Sequence, residues 1–412
     1  MRVVKFGGSS VADIARLRNA ASIVAELRRQ GPVAVVVSAM AGVTDALLRA
    51  GRSAITGDAH LPELLEDIEL RHYEAWSALS DEPPREFERQ WAMLSQQARA
   101  LGRQSVGLSW SARERLIAQF SGWGERLVVG LLAAALREQG LIAEAFDDAP
   151  VALHNDGSEE DEPQPSALAT RARLLPRLAL LVMRGGVPVL PGYIACGTRG
   201  ELSTLGRNGS DHSAAVIAAA LGAERLTIYS DVPGMLTADP RIAPDAELLP
   251  ALSYAEAQRM ASLGAKALHP RTIEPVVEWG IPLELRSSLT PHVSGTDILS
   301  DVAMRGRARE GSWIVVSRLL PDARGAHAEV TAEWLPAWPL DSGEALPCEP
   351  LTVALTALRE VAAPAREIAP TVDGLRALVD ATSAPVVVRA LHAALHKCSS
   401  AGRRRDRSAA LA

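Results

Sequence analysis

The sequence predicts an α/β fold with a mostly parallel central sheet. Short apolar stretches alternate with helical patterns as far as about residue 290, which is typical of strands joined by helical crossovers. The stretch Pro32–Ser38 (PVAVVVS) is almost continuously apolar. Strands of that kind indicate a sheet that helices cover on both faces. In a chain of 412 residues we expect two or three domains.

The predicted elements follow one another with short connections. The strand Val3–Phe6 leads through a Gly-Gly-Ser-Ser turn into a helix from about Ala12 to Arg29, and Pro32–Ser38 is the second strand. Amphipathic helices are predicted over 62–105, with a break at Pro83-Pro84 because proline removes a helical hydrogen bond. The later elements are a helix from about Ser111 to Gln139, a strand at Leu141–Phe146, a helix near 166–184, a strand at Val187–Leu190, a helix at Ser210–Leu221 and a strand at Arg225–Ser230.

The pattern changes after Gly295-Thr296, so we place the end of the first domain at about residue 300. Residues 305–350 contain several prolines and predict irregular structure, whereas 351–397 predict a strand, a helix, a strand and a helix. The basic segment 399–412 predicts a disordered tail. The predicted domains are therefore 1–300 and 301–398, followed by this tail.

Composition excludes several classes of protein. The net charge is −6, which argues against a surface that coats nucleic acid. The three cysteines, Cys196, Cys348 and Cys398, have no metal-type spacing and predict no disulfide scaffold, which fits a reducing compartment. The longest apolar stretch, Leu127–Leu136, is well short of the ~20 residues that a bilayer requires. The start, MRVVKFGG, lacks the apolar core of a signal peptide. We expect a cytoplasmic protein without a membrane or nucleic-acid partner.

The first candidate site follows the first strand and consists of Lys5, Gly7, Gly8, Ser9 and Ser10. Ligands of parallel sheets gather at the carboxyl ends of the strands. Two glycines let the backbone approach a phosphate, the serines and N–H groups can donate hydrogen bonds, and Lys5 supplies a cation. The lysine precedes the glycines, so this is not a Walker loop. An ordinary turn is the alternative interpretation.

The second candidate site opens the helix predicted at Ser210, in the segment TLGRNGSD. Arg207, Gly209, Ser210 and Asp211 place a cation, free N–H groups and a carboxylate at one helix N-terminus. That combination suits a bound anion together with a metal ion. Ser210 and Asp211 also have an ordinary alternative role as helix caps.

The third candidate site follows the strand Arg225–Ser230 and contains Ser230 and Asp231, with Arg241 and Lys266 further along. Pro-Gly at 233–234 and Asp-Pro-Arg at 239–241 are also compatible with plain loops, and Lys266 with a solvated lysine.

Some residues stand out individually. Thr44 lies just beyond the second strand, and Glu125 lies in a predominantly apolar helix, where a carboxylate needs a partner or a purpose. The acidic segment 156–164 predicts an exposed loop, with a cation site as the alternative. His392 and His396 are one helical turn apart near Cys398, and we interpret them as part of a terminal helix rather than as a zinc site.

Taken in order, six blocks resemble the aspartokinases of the amino acid kinase family, and most of all the kinase portions that are fused to homoserine dehydrogenase. The blocks are KFGGSSVAD at 5–13, SAMAGVTD at 38–45, GERL at 124–127, LGRNGSDHSAA at 205–215, SDVPGMLTADPR at 230–241 and GAKALHPRTI at 264–273. The resemblance implies a three-layer αβα sandwich. It also implies that ATP and Mg²⁺ are used to phosphorylate the side-chain carboxylate of L-aspartate.

The resemblance implies a role for each candidate residue. Lys5 and Asp211 would be catalytic, with Lys5 on the transferred phosphoryl group and Asp211 organising Lys5 and the metal-bound phosphates. Mg²⁺ would be carried by the ATP phosphates and not by protein ligands. The other implied residues are Gly7, Gly8, Ser9, Ser10 and Gly209 for phosphate, Thr44, Glu125, Tyr193, Arg207 and Ser210 for aspartate, and Ser230, Asp231, Leu236, Arg241 and Lys266 for ATP.

The sequence departs from the family pattern at three positions and in its C-terminal region. Ser9 replaces a threonine, and His212 and Leu236 replace tyrosines, so a backbone contact is what we expect at Leu236. The family continues into two ACT domains, small modules that sense amino acids and support dimerisation. Here only about 110 residues follow, with Leu351–Leu355 as the expected ACT strand and Val386–Leu395 as the last ACT helix. We therefore expect a shortened or divergent ACT-like region, a homodimer, and weak or absent feedback by an amino-acid effector.

Two alternatives stay open at this point. One is a non-catalytic regulatory or scaffolding subunit with the same fold, and the other is a related amino acid kinase that acts on glutamate or acetylglutamate. The intact charged set of Lys5, Glu125, Arg207 and Asp211 favours an active aspartate kinase. Its product, 4-phospho-L-aspartate, would enter the biosynthesis of lysine, threonine and methionine.

Overall fold

The chain folds into two units, which are seen in a computed structural model. Unit 1 comprises Met1–Val232 and Arg271–Val293, and unit 2 comprises Pro233–Pro270 and Ser294–Ala412. The structure describes residues 1–80, 85–148, 151–152, 164–197, 200–206, 208–265, 267–304, 312–319, 327–335, 348–361, 365, 367–371 and 374–409.

The described residues form strands and helices that alternate along much of the chain. The strands are β1 (Arg2–Phe6), β2 (Val33–Val37), β3 (Ala143–Ala145), β4 (Val151–Ala152), β5 (Val187–Pro191), β6 (Ile194–Cys196), β7 (Leu202–Thr204), β8 (Arg225–Ser230), β9 (Ala251–Ser253), β10 (Leu283–Ser287), β11 (Thr296–Leu299), β12 (Ser312–Leu319), β13 (His327–Leu335), β14 (Glu367–Thr371) and β15 (Gly374–Asp380). The helices are α1 (Ile14–Gln30), α2 (Val43–Thr56), α3 (Leu61–Ser77), α4 (Arg85–Gln104), α5 (Trp110–Ser121), α6 (Trp123–Glu138), α7 (Ala167–Met183), α8 (Gly209–Leu221), α9 (Tyr254–Leu263), α10 (Pro270–Glu278), α11 (Asp301–Met304), α12 (Cys348–Glu360) and α13 (Ala384–Ala409).

The sheet of unit 1 is parallel and has β1 near its centre. Its strand order is β3-β5-β2-β1-β8-β10, and each of these neighbours pairs in parallel. Lys5 is in register with Val36 on β2 and with Ile228 on β8. The carboxyl ends of these strands therefore bring the loops after β1, β2 and β8 to the same edge. The predicted α/β class with a mostly parallel sheet is confirmed.

Helices cover both faces of this sheet. Alternate residues such as Val4 and Phe6 on β1 are buried in one large apolar core together with residues of α1 and α6. The intervening residues, Lys5 among them, point toward the other face, which α8 covers. A lysine in a central strand thus meets the residues that begin α8. The helix predicted over 111–139 is in fact two helices, α5 and α6, which meet at Gly122.

Unit 2 contains an antiparallel sheet in the order β12-β13-β15-β14. Helices α12 and α13 pack together and onto this sheet, so that its element order along the chain is ββαββα. In the same unit, β11 pairs with β9 in parallel. A small α+β module is therefore present in the C-terminal region.

Several sequence predictions for the C-terminal region were wrong. Residues 305–350, predicted to be irregular, contain β12 and β13. The predicted strand Leu351–Leu355 lies within α12, where Ala354, Ala357 and Leu358 are buried at helical spacing. The tail predicted to be disordered from 399 continues α13 as far as Ala409. The helix predicted at Val386–Leu395, in contrast, is present as part of α13.

The boundary between the units also differs from the predicted one at residue 300. The segment Pro233–Pro270 belongs to unit 2 because it packs on the C-terminal module. Ala238 and Ala243 share an apolar core with Val330, and the backbone N–H of Val315 on β12 donates to the carbonyl of Thr237 at 2.9 Å. Sequence periodicity carries no signal for such a long-range contact.

No helix among the described residues is long and apolar enough to cross a membrane.

Candidate active site

The central feature of the candidate site is an ion pair between Lys5 and Asp211. Lys5 lies near the end of β1 and is 7% exposed, and its ammonium contacts a carboxylate oxygen of Asp211 in the first turn of α8. Asn208, in the left-handed conformation at φ 55°, precedes this helix. The two residues predicted to be catalytic are thus brought together at the carboxyl edge of the sheet.

The glycine loop after β1 lies tightly against the loop after β2. The backbone N–H of Ala41 donates to the carbonyl of Gly8 at 3.2 Å. A Cβ atom on Gly8 would lie 2.9 Å from the carbonyl oxygen of Ala39, so no side chain fits there without backbone movement. Gly7 donates its N–H to the carbonyl of Tyr229, which connects the loop to β8. The loop is therefore fixed from two sides.

Ser10 has a buried hydroxyl, although we predicted it as a phosphate-binding residue. Its Oγ lies 2.7 Å from the Oγ of Ser288, and the Ser288 hydroxyl is 3.1 Å from the carbonyl oxygen of Ser230. Asn19 donates from its side-chain nitrogen to the carbonyl of Ser288 at 2.6 Å. These contacts hold the Ser10 side chain between the loops, and its role in phosphate binding stays a prediction. Ser9 is half-buried.

Glu125 is a buried carboxylate beside this ion pair. It lies in the first turn of α6 and is 1% exposed. One oxygen accepts a hydrogen bond from the N–H of Ala39 at 3.1 Å and lies 3.5 Å from the Ser210 hydroxyl. The other oxygen is buried without a hydrogen-bond partner among the described residues. Burial raises the pKa of Glu125 to about 8, opposed by these hydrogen bonds and by the charge of Lys5.

Ser210 and Tyr193 lie next to Glu125 at the start of α8. The Ser210 hydroxyl lies 3.3 Å from that of Ser38, and a Cβ on Gly192 would come within 2.7 Å of the Cβ of Ser210. Tyr193 has φ 62°, an uncommon conformation for a non-glycine residue, and its hydroxyl lies 3.1 Å from that of Ser121. Strained backbone of this kind is concentrated at functional sites.

The remaining predicted residues are only partly brought together. Thr44 is half-buried in the first turn of α2, which follows the loop after β2. Ser230 forms hydrogen bonds within its own turn, to the N–H and carbonyl of Val232, and Asp231 is exposed. In unit 2, Leu236 is half-buried and Arg241 pairs with Asp239 at 2.9 Å. Arg207 and Lys266 lie outside the described residues, as does most of the acidic segment at 156–164.

Sequence reasoning missed Ser38, Ser121 and Ser288, which all contact predicted site residues. Ser38 and Ser288 each follow a strand of the parallel sheet, and that position is the signal that could have found them. Ser121 ends α5 and carries no comparable signal.

The sequence profile of the amino acid kinase family matches residues 1–287. The chain belongs to the amino acid kinase family. Every described residue of the Lys5, Glu125, Ser210 and Asp211 cluster lies within the matched segment.

The family assignment agrees with individual relatives. The chain is 35% identical over 298 residues to lysine-sensitive aspartokinase 3 of Escherichia coli, across 71% of this chain and 63% of that protein. It is 35% identical over 294 residues to the bifunctional aspartokinase/homoserine dehydrogenase 2 of the same organism, across 71% of this chain and 35% of that protein. The chain thus spans less than two thirds of the length of these relatives.

A solved structure resembles most of the chain. The crystal structure of E. coli aspartokinase III in complex with aspartate and ADP matches with a TM-score of 0.74 and 25% identity, and the match covers 96% of this chain and 100% of that one. The expected resemblance to aspartokinases, including forms fused to homoserine dehydrogenase, is confirmed.

Proposed function

We propose that this amino acid kinase transfers the γ-phosphoryl group of ATP to the side-chain carboxylate of L-aspartate. The observation that carries the proposal is Glu125, whose second carboxylate oxygen is buried beside Lys5 and Ser210 and has no partner among the described residues. Such an oxygen is costly unless a cation or donor fills the site. The α-ammonium of an amino acid supplies both a charge and donors. Similarity to an aspartokinase crystallised with aspartate and ADP supports this choice.

The chemistry requires positive charge more than a base. The attacking side-chain carboxylate of aspartate is already ionised at neutral pH, so no proton has to be removed. A carboxylate oxygen forms a bond to the γ-phosphorus while the bond from that phosphorus to the β,γ-bridging oxygen breaks, and ADP leaves. Lys5 stabilises the negative charge on the transferred group, and Asp211 holds Lys5 in place. The N–H of Gly7 is already bonded to the carbonyl of Tyr229, so further donors to the phosphoryl group would come from the N–H groups of Gly8 and Ser9.

Mg²⁺ is expected as the companion of ATP. Among the residues that the structure describes, there is no cluster of three His, Cys, Asp or Glu side chains that could hold a metal ion. Mg²⁺ commonly binds substrate phosphates and waters with only one or two carboxylates. We predict that Mg²⁺ is carried by the ATP phosphates, with Asp211 acting on these phosphates through its ion pair with Lys5, and bound Mg²⁺ would neutralise charge on them. His392 and His396 are part of α13 and belong to no such cluster.

The proposal extends to individual contact residues, to the location and oligomeric state of the protein, and to the use of its product. ATP contacts at Ser230, Asp231, Leu236, Arg241 and Lys266, and aspartate contacts at Thr44, Tyr193 and Arg207, stay predictions. We further propose a cytoplasmic homodimer that supplies 4-phospho-L-aspartate for lysine, threonine and methionine biosynthesis. The C-terminal module is the candidate place for an amino-acid effector.

An acceptor-resolved assay tests the proposed activity. The purified chain is incubated with ATP-Mg²⁺ and L-aspartate, L-glutamate or N-acetyl-L-glutamate, and the acyl phosphate is trapped with hydroxylamine as the hydroxamate. We expect hydroxamate with aspartate and much less with the other two acids. N-acetyl-L-glutamate lacks the ammonium group that Glu125 would bind. A preference for glutamate or N-acetylglutamate contradicts the proposed acceptor.

Calorimetry separates an enzyme from a non-catalytic subunit. We expect heat of binding when ATP-Mg²⁺ is titrated into the protein, and we expect it to shrink strongly in Lys5→Met. No binding of nucleotide, together with no turnover of any acceptor, would instead favour a scaffolding subunit that keeps the fold.

A further inference from the structure

We propose that Arg71 is a positioning residue that fastens the loop after β1 to the loop after β2. The inference rests on the proposed function, because these loops carry the groups assigned to phosphate and to aspartate. Arg71 lies on α3, a helix that carries no residue assigned above. One of its guanidinium nitrogens, Nη2, donates to the carbonyl of Ala41 at 3.0 Å and lies 3.4 Å from the carbonyl oxygen of Ala12.

The two carbonyls belong to different loops. Ala12 ends the short 3-10 turn Gly8–Val11 that follows Lys5 and Gly7. Ala41 precedes Gly42, which has φ 80° and occupies the N-cap position of α2, and Thr44 is the second residue of that helix. A single nitrogen bound to both carbonyls holds the loops at a fixed separation. The hydrogen bond from Ala41 to Gly8 provides a second link between the same segments.

Arg71 is not needed to anchor its own helix. The buried face of α3 consists of Ile68, His72, Ala75 and Trp76, which already fix the helix on the core. Arg71 is only partly buried, and its two hydrogen bonds with described residues both go to loop carbonyls. Its guanidinium also lies close to Gly42, at the start of α2, where a cation is electrostatically unfavourable. The carbonyl contacts offset this cost, so the guanidinium acts mainly on the two loops.

Loop separation matters for the reaction. In-line transfer requires the attacking oxygen of the acceptor to sit about 3–3.5 Å from phosphorus, and a shift of about 1 Å can cost ~100-fold in rate. The loop of Gly7 and Gly8 is assigned to the phosphoryl group, and Thr44 is assigned to the acceptor. We therefore infer that Arg71 acts on kcat, through the alignment of two bound substrates, more than on the affinity for either one.

Arg28 provides a matched control. Its guanidinium donates to the carbonyl of Gly185 at 2.9 Å and lies 3.5 Å from that of Gly31, so it also joins two segments of main chain. Those segments precede β5 and β2, at the opposite edge of the sheet from the candidate site. Both arginines are partly buried. Loss of a general structural tie would affect the two variants alike, whereas loss of loop alignment would affect Arg71 alone.

The experiment compares Arg71→Met, Arg71→Lys and Arg28→Met in steady-state kinetics with aspartate and ATP. We expect kcat to fall about 10- to 100-fold in Arg71→Met while each KM changes less than about threefold. Arg71→Lys should recover part of kcat, because a shorter ammonium reaches one carbonyl. A further variant, Arg71→Ala, tests chemical rescue. Ethylguanidine, which replaces the missing part of the side chain, should raise its kcat, whereas sodium chloride at the same concentration should not. Arg28→Met should keep the kcat of the parent. Equal kcat in Arg71→Met and the parent, or equal losses in both arginine variants, overturns the proposal.

Hydrogen exchange supplies a readout that does not depend on the acceptor. In Arg71→Met we expect faster amide exchange in both segments 8–12 and 39–44, and in Arg28→Met no change there. If the parent protein phosphorylates no aspartate, the proposed function fails while the exchange data still decide whether Arg71 couples the loops. Unchanged exchange in both segments of Arg71→Met overturns the coupling. If Arg71→Met does not fold, Arg71→Lys decides by the same two measurements.

Discussion

The backbone amide of Ala39 donates a hydrogen bond to one oxygen of the Glu125 carboxylate at 3.1 Å, while the second oxygen is buried without a partner among the described residues. Ala39 follows β2 and Glu125 lies on α6, so this contact joins the sheet edge to a helix of the covering layer. The carboxyl group is thus held in place and only half satisfied. Because the pKa of this carboxyl group is about 8, its protonation state changes with pH in the range in which activity would be measured.

The affinity for aspartate should depend on pH through Glu125. An ammonium group binds the ionised carboxylate, and below a pKa of about 8 most of the free protein carries the proton. We expect KM for aspartate to fall as pH rises from 6.5 to about 8.5, by up to roughly tenfold per pH unit below the pKa. Calorimetry in two buffers of different ionisation enthalpy should detect proton release on binding. A KM that is flat over this range contradicts the assigned role.

The free energy of unfolding should decrease as pH rises, whereas the affinity for aspartate should increase. The folded pKa of Glu125 is raised, so between pH 4.5 and about 8 the unfolded chain is ionised while the folded protein keeps the proton. The contribution of Glu125 to the free energy of unfolding therefore falls with rising pH, by at most about 1.4 kcal/mol per unit. Glu125→Gln should remove this dependence, raise KM for aspartate and preserve the fold. Urea unfolding of both proteins at pH 5 and pH 8 measures the difference.

Loss of either partner of the Lys5–Asp211 pair should abolish phosphorylation of aspartate. Lys5→Met removes the positive charge that the transfer needs, and Asp211→Asn removes the carboxylate that holds Lys5, so we expect kcat to fall by roughly 1,000-fold or more in each variant. Asp211→Asn also leaves a buried ammonium without its partner, so its unfolding free energy should fall more than that of the double variant. The exposed pair Arg18–Glu138 is the control, and Arg18→Met should keep kcat. Full activity in Lys5→Met or Asp211→Asn rejects that residue's role.

The buried hydroxyls of Ser10 and Ser288 should be energetically coupled. They lie 2.7 Å apart, and each has a further carbonyl within reach, Tyr229 for Ser10 and Ser230 for Ser288. A double-mutant cycle with Ser10→Ala and Ser288→Ala should give a coupling energy of about 1 kcal/mol in urea unfolding. Ser22, whose hydroxyl bonds within α1 at the surface, is the control, and Ser22→Ala should change stability by less than about 0.5 kcal/mol. If the effects of the two substitutions were strictly additive, the contact between the two hydroxyls would make no contribution to the free energy of unfolding.

His392 should make unit 2 less stable in acid. Its Nε2 lies 3.0 Å from the Thr237 hydroxyl, and burial lowers its pKa, opposed by Asp245 and Glu247 and assisted by His396. Since the unfolded chain takes up the proton near pH 6.5 and the folded one resists it, stability is lost as pH falls below about 6.5.

His392→Gln tests this assignment, because it keeps a side chain able to hydrogen-bond to Thr237 and removes the titration. The difference in unfolding free energy between parent and variant should grow in favour of the variant from pH 7.5 to pH 5.5. His72, whose pKa burial lowers to about 4, is present in both proteins and cancels in the comparison. A difference that does not change with pH argues against His392.

The fold of unit 1 was predictable because its strands are short, apolar and bounded by glycine or serine. Glu125 could be identified as well, since a carboxylate in an apolar helix is expensive without a role. The C-terminal module was harder. β13 buries Ala328, Val330 and Ala332 in alternation, and alanines give a weak apolar signal. Leu351–Leu355 is too short for its period to separate a strand from a helix. Arg71 was unpredictable because its acceptors are main-chain carbonyls, which every residue possesses.

The central place of β1 has a consequence for synthesis of the chain. β1 pairs with β2 about 30 residues later, but its other neighbour, β8, begins only at Arg225. At 5–20 residues per second, translation leaves one edge of the first strand open for roughly 10 to 45 s. During that interval the nascent protein exposes one unpaired edge of β1, the strand that carries Lys5. Shielding of that edge by the ribosome or a chaperone would protect the chain from mispairing before its phosphoryl-transfer centre exists.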